Sequence, residues 1–473
     1  MVGSGGNVRD HAVVIGGSIA GLSAARVLAD AYGRVTVYER DDLPPEPANR
    51  AAVPQDQHLH MLMARGAAEF ERLFPGLLED MVAAGVPILE NRPDCIHLGA
   101  AGHVLGVGQT LRDEFTAYVP SRPHLEWQLR RRVRDIDNVE IVRRPVAEPR
   151  FDAARGRVTG VVLDPDDEFV PADLVVDAAG RGTRLPVWLQ QWGYERPVEQ
   201  IIDIGIHYAT QRFRIPDGLL AEKVVVAGAS HDQSLGLGML FYEDGGWVLT
   251  TFGVGGAKPP GTFPEMLELA RELLPDHFQA ALAQAEPFGE PAYHAFPASR
   301  WRRYDKLDRF PAGIIPLGDA VASFNPTFGQ GMTMTSLQAA HLKWALRFPD
   351  HQVAAALNGA TARTTYPVWI MNGIADVGFH HAVSKEHVPW WWRPSAALFD
   401  QFLGAAETEA VLAEWFLRRF SLLDSLYMVP PPRIIGHAIR HNMRLWLRER
   451  REAARERAAA AREDRAVTAL QSP

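Results

Sequence analysis

Near the start of the chain, an apolar run typical of a strand is followed by apolar residues at helical spacing. A short apolar run at residues 13–15 is typical of a buried parallel strand, and the apolar positions between residues 22 and 29 recur at helical spacing. A second apolar run at residues 35–38 ends at Glu39. The pattern predicts a strand, a tight glycine turn, a helix and a second strand, as at the start of a parallel α/β sheet.

The pattern changes after about residue 185. Residues 202–208 and 235–241 alternate with period two, and Gly245-Gly246 separates the second run from a further strand at 247–251. These runs predict an antiparallel sheet with a hairpin. Downstream, the spacing predicts a helical region over 263–285, a strand over 313–317, a helix over 332–346 and a mainly helical chain thereafter.

The first glycine turn has the chemistry of a dinucleotide site. Gly16 permits the turn, Gly21 lets the helix approach the strand, and the helix N-terminus offers N–H groups to a pyrophosphate. Ser18 replaces the middle glycine of the GxGxxG pattern. Glu39 lies at the distance expected for a carboxylate that binds ribose hydroxyls. The segment therefore predicts FAD or NAD(H) binding, the alternative being an ordinary turn followed by a chance acid.

A second glycine segment follows the strand at 313–317. Gly318 allows close approach to a ligand, and the Asp319 carboxylate can accept hydrogen bonds from a sugar-like polyol. Gly329 and Gly331 then precede a helix whose N-terminus directs a positive dipole toward the same place. We expect the two glycine segments to meet around one large ligand.

Composition limits the function classes. The chain has 473 residues, 47% of them hydrophobic, and a net charge of −8. This indicates a globular protein of about two to three domains and argues against nucleic acid as a partner. Cys95 is the single cysteine, which excludes an internal disulfide and a cysteine metal cluster, and we expect it to be buried. No metal-ligand spacing is present, and the adjacent His380 and His381 would face different ways on a helix.

From the sequence we expect neither a signal peptide nor a membrane span. Residues 1–10 are polar and rich in Gly and Ser, unlike a signal peptide, and we expect a disordered leader there. No apolar run reaches about 18 residues, the minimum for a membrane-spanning helix. We expect a cytoplasmic protein that is a monomer or a homodimer.

Together these motifs resemble the class A FAD-dependent monooxygenases, the aromatic hydroxylase superfamily. Asp177 to Arg184 is similar to its middle motif, with Ala178 in place of the usual glycine, and Gly318-Asp319 is similar to the motif whose aspartate binds the FAD ribityl chain. Pro54-Gln55 with His58 and His60 resembles a segment of the natural-product branch, which includes relatives of squalene epoxidase. The cofactor-binding residues that the resemblance implies are Gly16, Ser18, Ala20, Gly21, Glu39, Arg40, Arg122, Asp177, Gly180, Gly318, Asp319, Gly329, Gln330, Gly331 and Met332.

The resemblance also implies a fold. We expect an α/β protein with a Rossmann-like FAD-binding domain of the para-hydroxybenzoate hydroxylase type, an inserted antiparallel-sheet substrate domain and a helical C-terminal region. The expected boundaries are 1–90, 110–185 and 295–346 for the FAD domain, 91–109 and 186–294 for the substrate domain, and 347–473 for the helical region.

The implied reaction uses NAD(P)H to reduce FAD and O₂ to form a flavin C4a-hydroperoxide, which transfers one oxygen atom to a substrate. Pro326, Gly329 and Gly331 would lie beside the flavin ring and act in catalysis. Residues 235–241 present Leu235, Leu237, Met239 and Phe241 on one face, which would either roof a lipophilic substrate or pack the core.

Among oxygenations, epoxidation is favoured over hydroxylation, because phenol hydroxylation usually needs a base and only His207 and Tyr208 suggest themselves. The substrate would be a lipophilic natural product such as a polyene polyketide or a terpenoid. The main alternative is a FAD-dependent reductase of the prenyl-reductase type. A halogenase would carry a Trp-x-Trp-x-Ile-Pro signature, which Trp390-Trp391-Trp392-Arg393-Pro394 does not match, and a flavin-binding protein without turnover is a further alternative.

Two C-terminal features allow more than one interpretation. Residues 444–465 alternate Arg and Glu, which favours a solvated helix, with an acidic partner or a membrane surface as the alternative. Residues 390–392 are three tryptophans, which would either line a substrate entrance or, as we favour, anchor a loop on the body of the protein.

Overall fold

The computed structural model describes residues 9–50, 53–89, 95–105, 116–230, 232–378, 383–384, 388–425, 427 and 429–470, so His380 and His381 lie outside the described residues. The helices are α1 Ile19–Ala29, α2 Ala64–Leu73, α3 Leu77–Ala83, α4 Arg122–Arg134, α5 Leu185–Gln191, α6 Phe263–Leu273, α7 Asp276–Leu282, α8 Gly331–Ala345, α9 Asp350–Gly378, α10 Trp392–Ala406, α11 Ala410–Phe420 and α12 Pro432–Leu470. The strands are β1 Arg9–Ile15, β2 Tyr32–Glu39, β3 Ile88–Leu89, β4 Ile96–Ala100, β5 His103–Val104, β6 Ala117–Tyr118, β7 Val139–Arg143, β8 Val146–Asp152, β9 Arg157–Leu163, β10 Glu168–Pro171, β11 Leu174–Asp177, β12 Glu199–Arg214, β13 Val224–Ala227, β14 Leu235–Phe241, β15 Trp247–Gly253, β16 Glu286–Arg302, β17 Ile314–Pro316, β18 Ala322–Ser323 and β19 Val383–Ser384.

A five-stranded parallel sheet forms the first layer, with strand order β17-β11-β1-β2-β7. Ile15 pairs with Asp177 on one side and with Tyr38 on the other, and Asp177 pairs with Pro316. All these residues are at the carboxyl ends of their strands. The register therefore brings the two glycine segments and the middle motif to one edge of the sheet, where doubly wound α/β proteins bind their ligands.

The parallel sheet forms because its strands are apolar on both faces, as burial under helices requires. Val14, Val35 and Val37 are fully buried in one cluster with Leu22 and Leu28 of α1. The strand–turn–helix–strand unit predicted from the sequence is confirmed. β1 begins at Arg9, two residues inside the segment predicted as a leader.

A second, mainly antiparallel sheet has the order β18-β16-β12-β15-β14-β13-β4-β5, with β19 paired to β12. The predicted hairpin is present, and Leu235 pairs with Gly253 while Phe241 pairs with Trp247. The predicted helical region over 263–285 is split into α6 and α7, with Pro275 between them. The predicted fold class is confirmed: an α/β protein with an antiparallel sheet and a helical C-terminal region.

The C-terminal helices pack against both sheets. Trp392 is buried against Gly373 of α9, where an added Cβ would come within 2.2 Å of the indole ring, whereas Trp390 is 84% exposed. Trp391 packs against the same cluster as Trp392, so two of the three tryptophans anchor the segment to the body, as favoured from the sequence. α12 begins at Pro432, well before the charged run from which it was predicted. No described helix has the combination of length and apolarity needed to cross a membrane.

The contact between Gly318 and Ala20 can be tested by adding one methyl group. Gly318 has a φ of +68°, and an added Cβ would lie 2.7 Å from the Ala20 Cβ, whereas Gly256 has a φ of +84° and open space around it. We expect Gly256→Ala to cost about 1–2 kcal/mol from backbone strain alone and Gly318→Ala to cost about 1–3 kcal/mol more from overpacking. Urea unfolding of both variants measures the difference, and equal losses would show that the two segments are not in contact.

Candidate active site

A cavity of about 1680 Å³ lies between the two sheets and the C-terminal helices. Single small-molecule sites usually occupy about 300–1,000 Å³, so this cavity has room for a large cofactor and a second ligand. One end is lined by the glycine segments and the middle motif. The other end is lined mainly by apolar side chains, among them Leu98, Val224, Val226, Leu240, Phe399, Leu403, Phe416 and Phe420.

At Gly16 and Gly21 the turn after β1 is packed too closely for any side chain. Gly16 has a φ of +102°, and a Cβ there would lie 2.7 Å from the Ala178 carbonyl oxygen. At Gly21 an added Cβ would lie 1.8 Å from the Gly16 carbonyl oxygen. Gly16 and Ala20 line the cavity, whereas Gly21 lies behind them and serves the packing of α1 on β1.

Ser18 occupies the middle glycine position for a reason that the structure makes visible. Its hydroxyl donates a hydrogen bond of 2.7 Å to Glu126 and accepts one of 3.1 Å from Arg122, both on α4. The Ser18 hydroxyl therefore ties the glycine turn to α4 and does not cap α1. The first-turn N–H groups of α1 remain available to an anion at the cavity wall.

Arg50, which sequence reasoning missed, joins the carboxylates of this region. Its guanidinium lies 2.8 Å from Glu39 and 2.6 Å from Glu126, and all three side chains are buried. The Glu39 carboxylate also accepts hydrogen bonds from the backbone N–H groups of Gly17 and Asp41. Burial alone would raise the pKa of Glu39, but Arg50 and these two N–H groups outweigh it and hold the pKa below its ordinary value.

The middle motif contributes backbone to the cavity and keeps its aspartate inside. Asp177 accepts hydrogen bonds from Thr183 and from the Ala179 N–H, and it does not reach the cavity wall. Burial raises its pKa despite these bonds. Asp177 thus shapes the turn, whereas Gly180 and Arg181 line the cavity.

Asp319 lies on the cavity wall, facing cationic side chains. Burial raises the pKa of its carboxyl group, and the nearby Arg122, Arg181 and Arg302 oppose that shift. Gly318 lies behind it, and its N–H donates to the Gln338 side chain. Within the described chain the Asp319 carboxylate has no hydrogen-bond donor, so it is available to a hydroxyl-bearing ligand.

The loop before α8 and the first turn of that helix form another part of the cavity wall. Pro326, Gly329, Gly331 and Met332 line the cavity, and a Cβ added to Gly331 would meet no atom within 4 Å. Gln330 lies outside the cavity wall, because its amide turns away and donates to the Phe420 carbonyl. The positive end of α8 therefore points into open space in the cavity.

The predicted apolar face of β14 is placed mainly in the core. Met239 is fully buried in a cluster with Met266 and Phe278 of α6 and α7, and Leu235 and Phe241 pack against the same cluster. Leu237 also belongs to that cluster and reaches the cavity wall, where Gly238 and Leu240 join it. Leu235, Met239 and Phe241 therefore pack the core, the second of the two roles expected from the sequence, because α6 and α7 cover that side of the sheet.

A polar cluster interrupts the apolar wall. The rings of His58, Tyr208 and His294 lie with centroids 5.6 to 6.4 Å apart. His58 Nδ1 shares a hydrogen bond of 2.7 Å with the Thr210 hydroxyl. In the described part of the chain, His58 Nε2 and the Tyr208 hydroxyl are buried without a hydrogen-bond partner. Leaving such groups unpaired costs about 1–3 kcal/mol each, so they mark a place for a ligand's polar atom.

The protonation states of this cluster follow from burial. Burial lowers the pKa of His58 to about 4, with a contribution from His294, and burial also lowers the pKa of His294. Burial raises the pKa of Tyr208, and the nearby Asp376 carboxyl adds to the shift. At neutral pH the cluster therefore presents two neutral imidazoles and a protonated phenol. Of the two residues suggested as bases, Tyr208 lines the cavity and its neighbour His207 does not, because successive strand residues face opposite sides.

The remaining predicted cofactor residues, Arg40 and Arg122, also line the cavity, and Arg122 is the first residue of α4, capped by Ser121. Arg50, Glu126 and His294 carried no recognisable spacing, since each contributes through tertiary contacts alone. Among the described residues, no cluster of three His, Cys, Asp or Glu side chains could hold a metal ion.

Removing Arg50 should leave the buried Glu39 carboxylate without a counterion and Glu126 with only its longer contacts to Arg130 and Arg122, at 3.7 and 3.9 Å. We expect Arg50→Met to lower the free energy of unfolding by about 3–5 kcal/mol at pH 7. A carboxyl group whose pKa is lowered by folding stabilises the folded state at pH values above its ordinary pKa. This stabilisation is lost as the pH falls through the pKa of the folded state. In the variant, burial dominates at Glu39, so the gap between wild type and variant should narrow as pH falls from about 7 to 4, a range that includes the ordinary pKa of Glu.

Denaturant titrations at several pH values measure this gap. Arg143→Met is the matched control, since Arg143 pairs with Asp42 on the surface and should cost less than about 1 kcal/mol. A gap that stays constant with pH would contradict the assigned role of Arg50.

Comparison with known proteins places the chain in a family. Residues 386–452 match the model described as the Mycobacterium Rv3254 C-terminal domain. Over 464 residues the chain is 73% identical to Protein Rv3254 of Mycobacterium tuberculosis, an alignment that covers 96% of this chain and 98% of that one.

Solved structures share its architecture at low identity. The flavin-dependent brominase Bmp2 aligns with a TM-score of 0.59 and 15% identity, over 92% of this chain and 99% of that one. PqsL, a probable FAD-dependent monooxygenase from Pseudomonas aeruginosa, aligns with a TM-score of 0.57 and 16% identity, over 82% of this chain and 100% of that one. The 2-methyl-3-hydroxypyridine-5-carboxylic acid oxygenase aligns with a TM-score of 0.56 and 18% identity, over 88% of this chain and 98% of that one. The chain thus belongs to the Rv3254 family and has the fold of the FAD-dependent hydroxylases.

Proposed function

We propose that the protein is a FAD-dependent monooxygenase that uses NAD(P)H and O₂ to insert one oxygen atom into a lipophilic small molecule. The observation that carries the proposal is the continuity of the cavity. Its glycine-lined end and its apolar end enclose one space, so a redox cofactor and an apolar substrate would share a chamber. The fold supports the same class of chemistry by analogy.

The residues on the wall fit FAD. Gly16 permits the close backbone approach that a pyrophosphate needs at the N-terminus of α1, and Glu39 lies at the end of β2, where a ribose would bind. Asp319 would accept hydrogen bonds from the ribityl chain. The backbone from Pro326 to Met332 would lie beside the flavin ring, with the positive end of α8 near its anionic edge.

FAD, once reduced by NAD(P)H, supplies the electrons that activate O₂. This chain's residues position the cofactor and exclude water from the reacting atoms. Phe399, Leu403, Phe416 and Phe420 provide an apolar boundary on the side of the C-terminal helices. The polar cluster would hold a hydroxyl or carbonyl oxygen of the substrate between the Tyr208 hydroxyl and His58 Nε2.

Within oxygenation, the protonation states favour epoxidation of an alkene over hydroxylation of a phenol. Phenol hydroxylation is helped by a base with a pKa near the working pH. Burial lowers the pKa of His58 to about 4, so its imidazole is a weak base. A polyene polyketide or a terpenoid with one polar oxygen would fit the cavity and the cluster. The reaction would take place in the cytoplasm, where NAD(P)H is available.

The alternative is a reductase that adds hydrogen to a double bond of a similar substrate. The two reactions differ in their use of O₂, so the test is substrate-stimulated oxidation of NAD(P)H with and without O₂, followed by mass spectrometry. We expect a product heavier by one oxygen atom, labelled when isotopic O₂ is supplied. A product formed equally well without O₂, and heavier by two hydrogen atoms, would replace the proposal by the reductase.

The Tyr208 hydroxyl can be tested without changing the packing of its ring. We expect Tyr208→Phe to raise KM roughly two- to tenfold, because the variant loses one hydrogen bond to the substrate. The FAD content should be unchanged. Tyr304→Phe is the control, because its hydroxyl is also buried and unpaired among the described residues but lies off the cavity wall. Equal KM values for Tyr208→Phe and wild type would remove the hydroxyl from substrate binding.

A further inference from the structure

Helix α12 has one face fixed to the body of the protein. Ile434 is buried in the cluster formed by α10 and α11, and Ala438 packs against the same cluster. Asn442 donates a hydrogen bond of 3.3 Å to the Gln401 carbonyl of α10, and His441 lies 3.7 Å from the Glu409 carboxylate. These contacts recur every three or four residues, so they define the inward face of the helix.

The opposite face carries an unusual column of apolar side chains. Its members are between 42% and 60% exposed and follow one another at helical spacing: Ile435, Ile439, Met443, Trp446 and Leu447. At 100° per residue they lie on the side away from Ile434 and Ala438. Half of the exposed large apolar side chains in the described chain, nine of eighteen, lie between residues 390 and 447, so the exposure is concentrated here.

A column of arginines runs along one flank of these apolar side chains. Arg433, Arg440, Arg444, Arg448 and Arg451 share this flank by helical spacing, and all are exposed. The guanidinium of Arg450 stacks 4.1 Å from the centre of the Trp446 ring. Among the α12 side chains that the structure describes, Glu452 is the only acid, and it lies 4.0 Å from Arg448. The exposed side of α12 is thus apolar and strongly cationic.

We propose that α12 is a membrane-surface helix that binds the anionic leaflet of a lipid bilayer. The apolar column would enter the boundary between headgroups and acyl chains, and the arginine column would contact lipid phosphates. Trp446 has the amphipathic ring that favours this boundary. A second copy of the same helix would cover the apolar column but would bring no excess of acids to the arginines, whereas anionic lipid satisfies both features.

The position of α12 gives this binding a consequence for the cavity. α10 contributes Phe399 and Leu403 to the apolar end of the cavity, and its Gln401 carbonyl accepts the hydrogen bond from Asn442. A bilayer beneath α12 would therefore lie one helix away from the apolar end of the cavity. That placement suits a lipophilic substrate taken from the membrane, although the binding itself does not depend on the proposed reaction.

The test is flotation of the full-length protein with two kinds of vesicle, phosphatidylcholine alone and phosphatidylcholine with phosphatidylglycerol. We expect binding to the anionic vesicles that weakens as salt is raised. The double variant Arg440→Glu/Arg444→Glu should bind at least about tenfold more weakly. Ile439→Ser/Met443→Ser should also weaken binding, with the salt dependence retained.

Arg271→Glu/Arg347→Glu is the matched control, because both arginines are exposed on other helices or loops and carry the same charge change. It should bind like the wild type, and circular dichroism should show that every variant is folded. Failure of the wild type to float with anionic vesicles would overturn the proposal. A concentration-dependent dimer in sedimentation analysis that is lost in Ile439→Ser/Met443→Ser, without vesicle binding, would assign the face to a second copy instead.

Discussion

Backbone segments far apart in sequence touch at the carboxyl ends of β1, β11 and β17, and the rest of the site depends on that contact. Gly16 meets the Ala178 carbonyl, and Gly318 meets Ala20, at distances that leave no room for a methyl group. Because interiors are close-packed, these approaches fix the three loops relative to one another to within a fraction of an ångström. The result is a cavity wall formed by these three loops, on which the Glu39 and Asp319 carboxylates lie beside Arg122 and Arg181.

The charges at the cofactor end are organised behind this wall. Arg50 links Glu39 to Glu126, and Glu126 in turn accepts a hydrogen bond from the Ser18 hydroxyl. A buried network of this kind is strongly destabilised when one member is removed, so it holds the glycine turn and α4 in a fixed relation. The opposite end of the cavity is apolar. The molecule thus presents a polar cradle and an apolar chamber in one continuous space, as the proposed reaction requires.

Much of this arrangement was predictable from the sequence because it rests on local patterns. The glycine spacing, the alternating β14–β15 hairpin and the strand before Gly318 each predicted their elements correctly. The face of β14 was predicted less well, since periodicity shows that Leu237 and Met239 share a side but not what covers it. Arg50 and His294 were missed because each acts through neighbours distant in sequence. The sequence also could not show which face of α12 is exposed, because that depends on how the helix packs on α10.

The proposed function requires the cofactor and a lipophilic substrate to share one chamber. This can be tested by titrating the FAD-loaded protein with farnesol, an apolar alcohol, and recording the visible absorbance of the bound flavin. We predict a saturable change in the flavin spectrum, because an apolar ligand would displace water from the surroundings of the ring. Saturable farnesol binding that leaves the flavin spectrum unchanged, or a purified protein that takes up no FAD, would contradict it.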